Sequence, residues 1–154
     1  VQELTRAGPV HQDDRVKVTA ALVDHPPFAH AFAFRFDSRD RSIVVSGDTR
    51  PSPSLVQLAK VADVLVHEAM YVPGIDRMLA KRPYVPPRLK AFLMEGHTTA
   101  EDCGRIAAEA GVKTLVLSHL LPGDDAELAD EVWRAEAARH FRGEIVVGRD
   151  LLVL

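Results

Sequence analysis

One continuous stretch, GHTTAEDCGRIAAEAGVKTLVLSHL from Gly96 to Leu120, constrains the fold more than any other part of the chain. Thr98 and Glu101 have the spacing of a capping box, in which a hydroxyl and a carboxylate satisfy free N–H groups at the start of a helix. The predicted helix runs to residue 110, and Gly111 is typical of the residue that ends a helix. The apolar run that follows predicts a buried strand. A helix that leads directly into a buried strand is typical of α/β proteins.

The remaining segments predict a sheet with both antiparallel and parallel strands. Runs rich in apolar and β-branched residues at 16–23, 31–37 and 42–46 predict strands, and the polar turn SRDR joins the last two as a hairpin. Further along we expect a helix from Pro53, a buried strand at 63–69, a helix from about Asp124 and Glu127 to 139, and closing strands EIVVG and DLLVL. Residues 70–95 carry four prolines and no clean period, which is typical of a lid or binding segment. The prediction is a mixed sheet covered by helices.

The composition permits one packed unit and gives no electrostatic reason to expect a nucleic-acid-binding surface over the whole chain. The 154 residues are 47% apolar and 27% charged, with a formal net charge of −3. A local basic group remains within ten residues of sequence: Lys81, Arg82, Arg88 and Lys90. The single cysteine, Cys103, cannot form a disulfide within the chain, so we expect it to be buried and the protein to be cytoplasmic.

The ends of the chain and its apolar runs bear on its origin. No apolar run approaches the ~20 residues of a membrane span, so we expect no membrane partner. The amino terminus, VQELTRAGPV, lacks the pattern of a signal peptide. The sequence also begins without methionine, from which we expect a processed chain or a part of a longer one.

Polar side chains follow four of the predicted strands at the point where each strand ends. They are His25, Asp48, His67 and His119. Sites in α/β sheets form at the carboxyl ends of strands, and Zn²⁺ is commonly bound by imidazole nitrogen and carboxylate oxygen. Together the four residues predict a transition-metal site. Each alone has an ordinary explanation, because a strand-end histidine usually bonds within its loop and the aspartate of GDT is commonly a turn former. From the residues alone, both interpretations stay open.

The ordered motifs SGDT, HEA, GHTTAEDCGRIA and LVLSHL resemble the C-terminal half of the metallo-β-lactamase superfamily, in the branch of ribonuclease Z and arylsulfatase-like hydrolases. The resemblance covers about residues 16–122 directly. It implies that residues 1–154 form a single segment of an α/β fold, half of an αββα sandwich in which a mixed sheet is covered by helices. The family's first motif, H-x-H-x-D-H, is absent from this sequence. An N-terminal half carrying that motif is therefore an expected partner.

The resemblance also implies a role for each candidate residue. His25 binds one metal, Asp48 bridges two metals, and His119 binds the second metal. His97 is a non-ligand histidine that assists at the scissile ester, and His67 lies near the site. The implied catalytic residues are thus His97, Asp48 and His67, and the implied cofactors are two divalent metals, Zn²⁺ first, with Mn²⁺ or Fe as alternatives.

The function implied by the resemblance is hydrolysis of a phosphodiester, sulfate ester or similar bond by a metal-activated hydroxide, complete only with the N-terminal half. Two departures favour a small anionic ester over tRNA 3′ processing. The turn SRDR leaves no tRNA-gripping insertion between its strands, and acidic LLPGDD follows His119 where the branch tends to carry Arg-Tyr. We expect a homodimer. The alternative function is a non-catalytic half-domain that serves as an interaction or regulatory module.

Overall fold

A computed structural model describes residues 3–82, 84–86, 88–123, 125 and 127–153. Within these residues, strands and helices follow one another along the chain as β1 Gly8–Gln12, β2 Val16–His25, β3 Phe28–Ser38, β4 Ser42–Val45, α1 Pro53–Leu58, β5 Val64–Met70, α2 Val72–Ala80, α3 Leu89–Gly96, α4 Ala100–Ala110, β6 Thr114–Leu121, α5 Asp130–Ala137 and β7 Glu144–Val147. No helix of this part of the chain is both long and apolar enough to cross a membrane.

The strands form one sheet whose spatial order is the order of the sequence, from β1 to β7. Neighbouring strands are antiparallel from β1 to β4 and parallel from β4 to β7. Each parallel pair is joined by a helical crossover, and such crossovers are right-handed. A sheet that grows in one direction therefore carries its crossover helices on one face, where α1, α4 and α5 pack. The predicted mixed sheet covered by helices is confirmed.

The helix-covered face of the sheet holds the core. Every second residue of a strand faces this side of the sheet. The strands β3 to β6 each contribute one such fully buried residue: Ala33, Val44, Leu65 and Leu115. Helices α4 and α5 come close enough that a Cβ added to Gly104 would lie 2.1 Å from the carbonyl oxygen of Ala137. This close approach joins α4, which packs on β5 and β6, to α5, which packs on β7.

The opposite face of the sheet is apolar and open at its antiparallel end. Cross-strand partners share a face, so Leu22 lies beside Phe32, and Val45 beside Phe34. Phe36, two residues further along β3, shares that face. Leu22, Phe36 and Val45 are 38%, 37% and 37% exposed. Exposed apolar surface of this kind marks a contact surface, as expected if another segment packs there.

The segment 70–95 is more regular than the sequence indicated. Strand β5 extends to Met70, and α2 and α3 occupy much of the remainder. Pro73 lies in the first turn of α2, where its missing N–H has no helical partner to lose. The prolines lie at the start of α2 and between α2 and α3. They interrupt the hydrophobic period, so the sequence pattern indicates neither helix.

Other boundaries also differ from prediction. The cap of α4 is Thr99, whose side chain accepts a hydrogen bond from the N–H of Asp102, and Thr98 lies one residue outside the helix. The sequence does not predict strand β1, because GPVHQ has no apolar alternation. In the structure the strand is almost wholly exposed. Residues 150–153 of the predicted closing strand form a turn and an irregular end. Helix α5 begins at Asp130, and Asp124 lies outside the described residues.

Candidate metal centre

Three side chains converge at the carboxyl ends of the parallel strands. Asp48 follows β4, His97 joins α3 to α4, and His119 lies within β6. One ligand atom from each of these residues lies within 4.8 Å of the other two. Asp48 and His119 are about half exposed, and the oxygen Oδ2 of Asp48 is 3.4 Å from Nε2 of His119. The group therefore offers one carboxylate and two imidazoles to a shared point.

His119 reaches this group because β6 has a bulge at that position. The register between β5 and β6 shifts between Glu68 and Ala69, and His119 is the extra residue. Its φ is +43°, a left-handed conformation that is uncommon for a residue with a side chain. Bulges re-aim side chains, and backbone strain concentrates at functional sites. The local backbone thus directs His119 toward Asp48.

Asp48 is placed by the tight turn after β4. Gly47 has a φ of +60°, and a Cβ there would lie 2.7 Å from the carbonyl oxygen of Phe32. Only glycine fits that conformation and that approach without strain. The turn is tied to the end of β2, where the N–H of Arg50 donates to the carbonyl oxygen of Asp24 at 2.9 Å. The loop carrying Asp48 is therefore fixed beside the strand end that carries His25.

His25 lies next to this group without joining it. Its Nδ1–H donates to the carbonyl oxygen of Gly96 at 2.8 Å, and its ring centroid is 5.1 Å from that of His97. Histidines that bind metals usually donate their other ring N–H to a carbonyl or carboxylate, which fixes the tautomer. The bond to Gly96 leaves Nε2 of His25 as the free ring nitrogen. Its predicted role as a metal ligand stays a prediction.

Glu68 lies at the candidate site and is not among the residues predicted from the sequence. It is 3% exposed, and its Oε1 accepts hydrogen bonds from the backbone N–H of Thr49 at 3.1 Å, from the N–H of Thr98 at 3.1 Å and from Nδ1–H of His97 at 3.2 Å. This hydrogen bond to Glu68, helped by the nearby charge of Asp48, raises the pKa of His97. The motif HEA contains the signal for Glu68, a carboxylate directly after the strand residue His67.

His67 lies in β5, two residues after the core residue Leu65, and is inaccessible to solvent. Its Nδ1–H donates to the backbone carbonyl of Glu68 at 2.7 Å, and burial lowers the pKa of the ring, which favours the neutral form. Among the described residues, Nε2 of His67 and Oε2 of Glu68 are buried side-chain atoms without a hydrogen-bond partner. Such atoms are uncommon in native proteins.

The donor set fits a divalent metal that prefers nitrogen and oxygen ligands. Asp48 and His119 present their ligand atoms at the surface, and His25 has the tautomer expected of a ligand. His97 has the same arrangement, because its Nδ1–H donates to Glu68 and leaves Nε2 for a metal. Its raised pKa sets it apart, because a proton competes with a metal for that nitrogen. The geometry defines a class of protein: a mixed-sheet α/β fold with a candidate metal-binding group at the strand ends.

Comparison with known proteins identifies the family. No protein-family model matches the chain. Ribonuclease Z of Mycobacterium tuberculosis (strain H37Ra) is 36% identical over 151 residues, which are 98% of this chain and 52% of that protein. The metallo-β-lactamase fold protein YhfI from Bacillus subtilis superposes with a TM-score of 0.67 at 23% identity, covering 92% of this chain and 50% of that one. Human tRNase Z, short form, gives a TM-score of 0.61 at 21% identity, covering 97% and 46%.

The chain belongs to the metallo-β-lactamase superfamily, in its ribonuclease Z-like branch. It spans about half the length of the curated relatives that it matches. The resemblance stated from the sequence motifs is confirmed, as is the fold class.

Proposed function

We propose that this segment supplies half of the active site of a metal-dependent phosphodiester hydrolase, with the other half coming from an N-terminal segment of the same protein. The observation that carries the proposal is the convergence of Asp48, His97 and His119, whose ligand atoms lie within 4.8 Å of one another. The hydrogen bond from His97 to the buried carboxylate of Glu68 also supports the proposal. A non-catalytic module does not require half-exposed Asp48 and His119 beside a histidine that is bonded to buried Glu68.

The residues divide into ligands and a proton donor. Asp48, His119 and His25 hold the metal ions, which when bound supply Lewis acidity and lower the pKa of water. His97 keeps Nδ1–H on Glu68, so its other nitrogen, Nε2, is the one that carries a proton toward the ester. Its raised pKa favours the protonated ring, which stabilises negative charge on the leaving oxygen and donates a proton to it. His67 is buried, so its part is to position Glu68 rather than to touch substrate.

Two substrate classes are in contention. A small anionic ester is favoured by the tight turn between β3 and β4, in which Ser38 N–H donates to the carbonyl oxygen of Arg41 at 3.0 Å. RNA is favoured by the 36% identity to proteins named ribonuclease Z. We propose the small ester as the principal substrate, Zn²⁺ as the metal, and a cytoplasmic homodimer as the working form. The competing assay is cleavage of a tRNA precursor at its 3′ end.

The test uses the intact protein and bis-p-nitrophenyl phosphate. We expect hydrolysis with Zn²⁺ or Mn²⁺, loss of hydrolysis with a chelator, and recovery when metal returns. His97→Ala should lower turnover strongly, whereas His30→Ala should not, because His30 is an exposed histidine of β3 that stacks on Phe32. Absence of metal-dependent hydrolysis in the wild-type protein would contradict the proposal and favour the non-catalytic module.

A further inference from the structure

An exposed aromatic ring lies beside the candidate metal centre. Phe28 is 60% exposed and is the cross-strand partner of His25. The two rings stack, with centroids 5.3 Å apart and planes 13° apart. The His25 ring is in turn 5.1 Å from the ring of His97. Phe28 thus presents an apolar ring to solvent, and the His25 ring lies between it and His97, one of the groups beside the candidate metal site.

Helix α3 carries a second exposed ring on the side that faces His25. Gly96 faces His25 so closely that a Cβ there would lie 3.1 Å from the imidazole. Phe92 precedes Gly96 by four residues, and residues four apart lie on the same face of a helix. Phe92 is 45% exposed. The face of α3 that meets His25 therefore continues, one turn away, into an exposed phenylalanine.

We propose that Phe28 and Phe92 form a subsite for a planar ring attached to the ester that the metal centre binds. This proposal rests on the proposed function, because the neighbouring Asp48, His97 and His119 define where the anionic group would lie. Aromatic rings prefer offset-stacked or edge-to-face contacts with other rings, and an exposed phenylalanine offers its face to such a partner. The ring belongs to an aryl ester or to a nucleotide, and both sources share this chemistry.

Ligand binding to the intact, Zn²⁺-loaded protein tests the subsite by titration calorimetry. Phenylphosphonate and methylphosphonate carry the same anionic group and differ in the ring. We expect the wild-type protein to prefer phenylphosphonate, and Phe28→Ala and Phe92→Ala each to reduce that preference by about 3- to 10-fold. Uridine 5′-monophosphate separates the two sources of ring: tighter binding than phenylphosphonate identifies a nucleobase, and weaker binding identifies an aryl group.

Met94→Ala is the matched control. Met94 is 39% exposed on α3, but it lies two residues from Phe92 and so on another face. It should leave the preference unchanged. Because Phe28 stacks on His25, the metal content of Phe28→Ala is measured in parallel. A preference lost only in that variant, together with its metal, would overturn the two-ring subsite.

The outcomes separate this subsite from the proposed function. Preference for phenylphosphonate without hydrolysis of bis-p-nitrophenyl phosphate would support the subsite and contradict the hydrolase. Hydrolysis with equal affinity for both phosphonates would support the hydrolase and overturn the subsite. Equal or undetectable binding of both ligands also overturns it, as expected if the N-terminal half covers both rings.

Discussion

Replacing Glu68 should both destabilise the fold and change the titration of His97. Its Oε1 accepts three hydrogen bonds, from two backbone N–H groups and from His97. Glu68→Ala leaves three buried donors without that acceptor, and breaking a buried charge pair of this kind costs about 3–5 kcal/mol. Glu68→Gln keeps an oxygen for the two backbone groups and loses only the charge, so it should cost about 1 kcal/mol. Urea unfolding of the intact, metal-free protein measures both values.

The pH dependence of these losses is the sharper test. Glu68 is the first cause of the raised pKa of His97, so Glu68→Gln should lower that pKa. A histidine whose pKa is raised on folding contributes stability that is fully present below its unfolded value of about 6.5 and is lost as the pH rises through its folded value. The difference in unfolding free energy between wild type and Glu68→Gln should therefore be largest near pH 5 and shrink above neutral pH.

The control for this prediction is Glu95→Gln. Glu95 is an exposed carboxylate of α3 near His97 in sequence, so its loss should leave the pH profile as in the wild type. A Glu68→Gln difference that is constant with pH, or that grows as the pH rises, would refute the assigned support of His97. NMR titration of the His97 ring gives the same answer directly.

Two further predictions concern stability away from the site. Gly104→Ala should cost about 1–3 kcal/mol in urea unfolding, because its Cβ would overlap the carbonyl of Ala137, and unchanged stability would contradict the observed contact between α4 and α5. Asp63 is held by Lys113 at 2.6 Å and by the N–H of Ser42 at 2.7 Å, which lowers its pKa. The contribution of Asp63 to the free energy of unfolding is therefore present above its unfolded pKa of about 3.9. It is lost as the pH falls through the lower pKa of the folded state. Asp63→Asn should be less stable than wild type at pH 7, with the difference narrowing toward pH 2; a constant difference would contradict this.

The sequence predicted the parallel half of the sheet because its signals are local. The strand that ends in His119 is a continuous apolar run between a helix and a loop, and buried strands have that pattern. The α4 helix was also expected, although its cap is Thr99 rather than Thr98. The motif TTAED contains two overlapping capping boxes, and the fully buried Thr98 is instead used by the network around Glu68. Overlapping local signals are resolved only by tertiary packing.

The site was predicted as a set of strand ends but not in its arrangement. Spacing along the chain cannot show that Glu68 reaches His97, 29 residues away. Nor can it show the bulge that makes His119 left-handed, since that depends on the register with β5. The motifs placed His25, Asp48 and His119 together as ligands, whereas the structure groups Asp48 and His119 with His97 and leaves His25 at its edge.

Metal analysis of the purified intact protein tests the central claim most directly, in the wild type and in the variants His119→Ala and His97→Ala. The division of roles predicts that the wild type contains divalent metal, that His119→Ala loses much of it, and that His97→Ala retains it while losing turnover. A wild-type protein that neither contains nor binds Zn²⁺ or Mn²⁺ would contradict the metal centre. Equal metal loss in both variants would contradict the separation of His119 as a ligand from His97 as the proton donor.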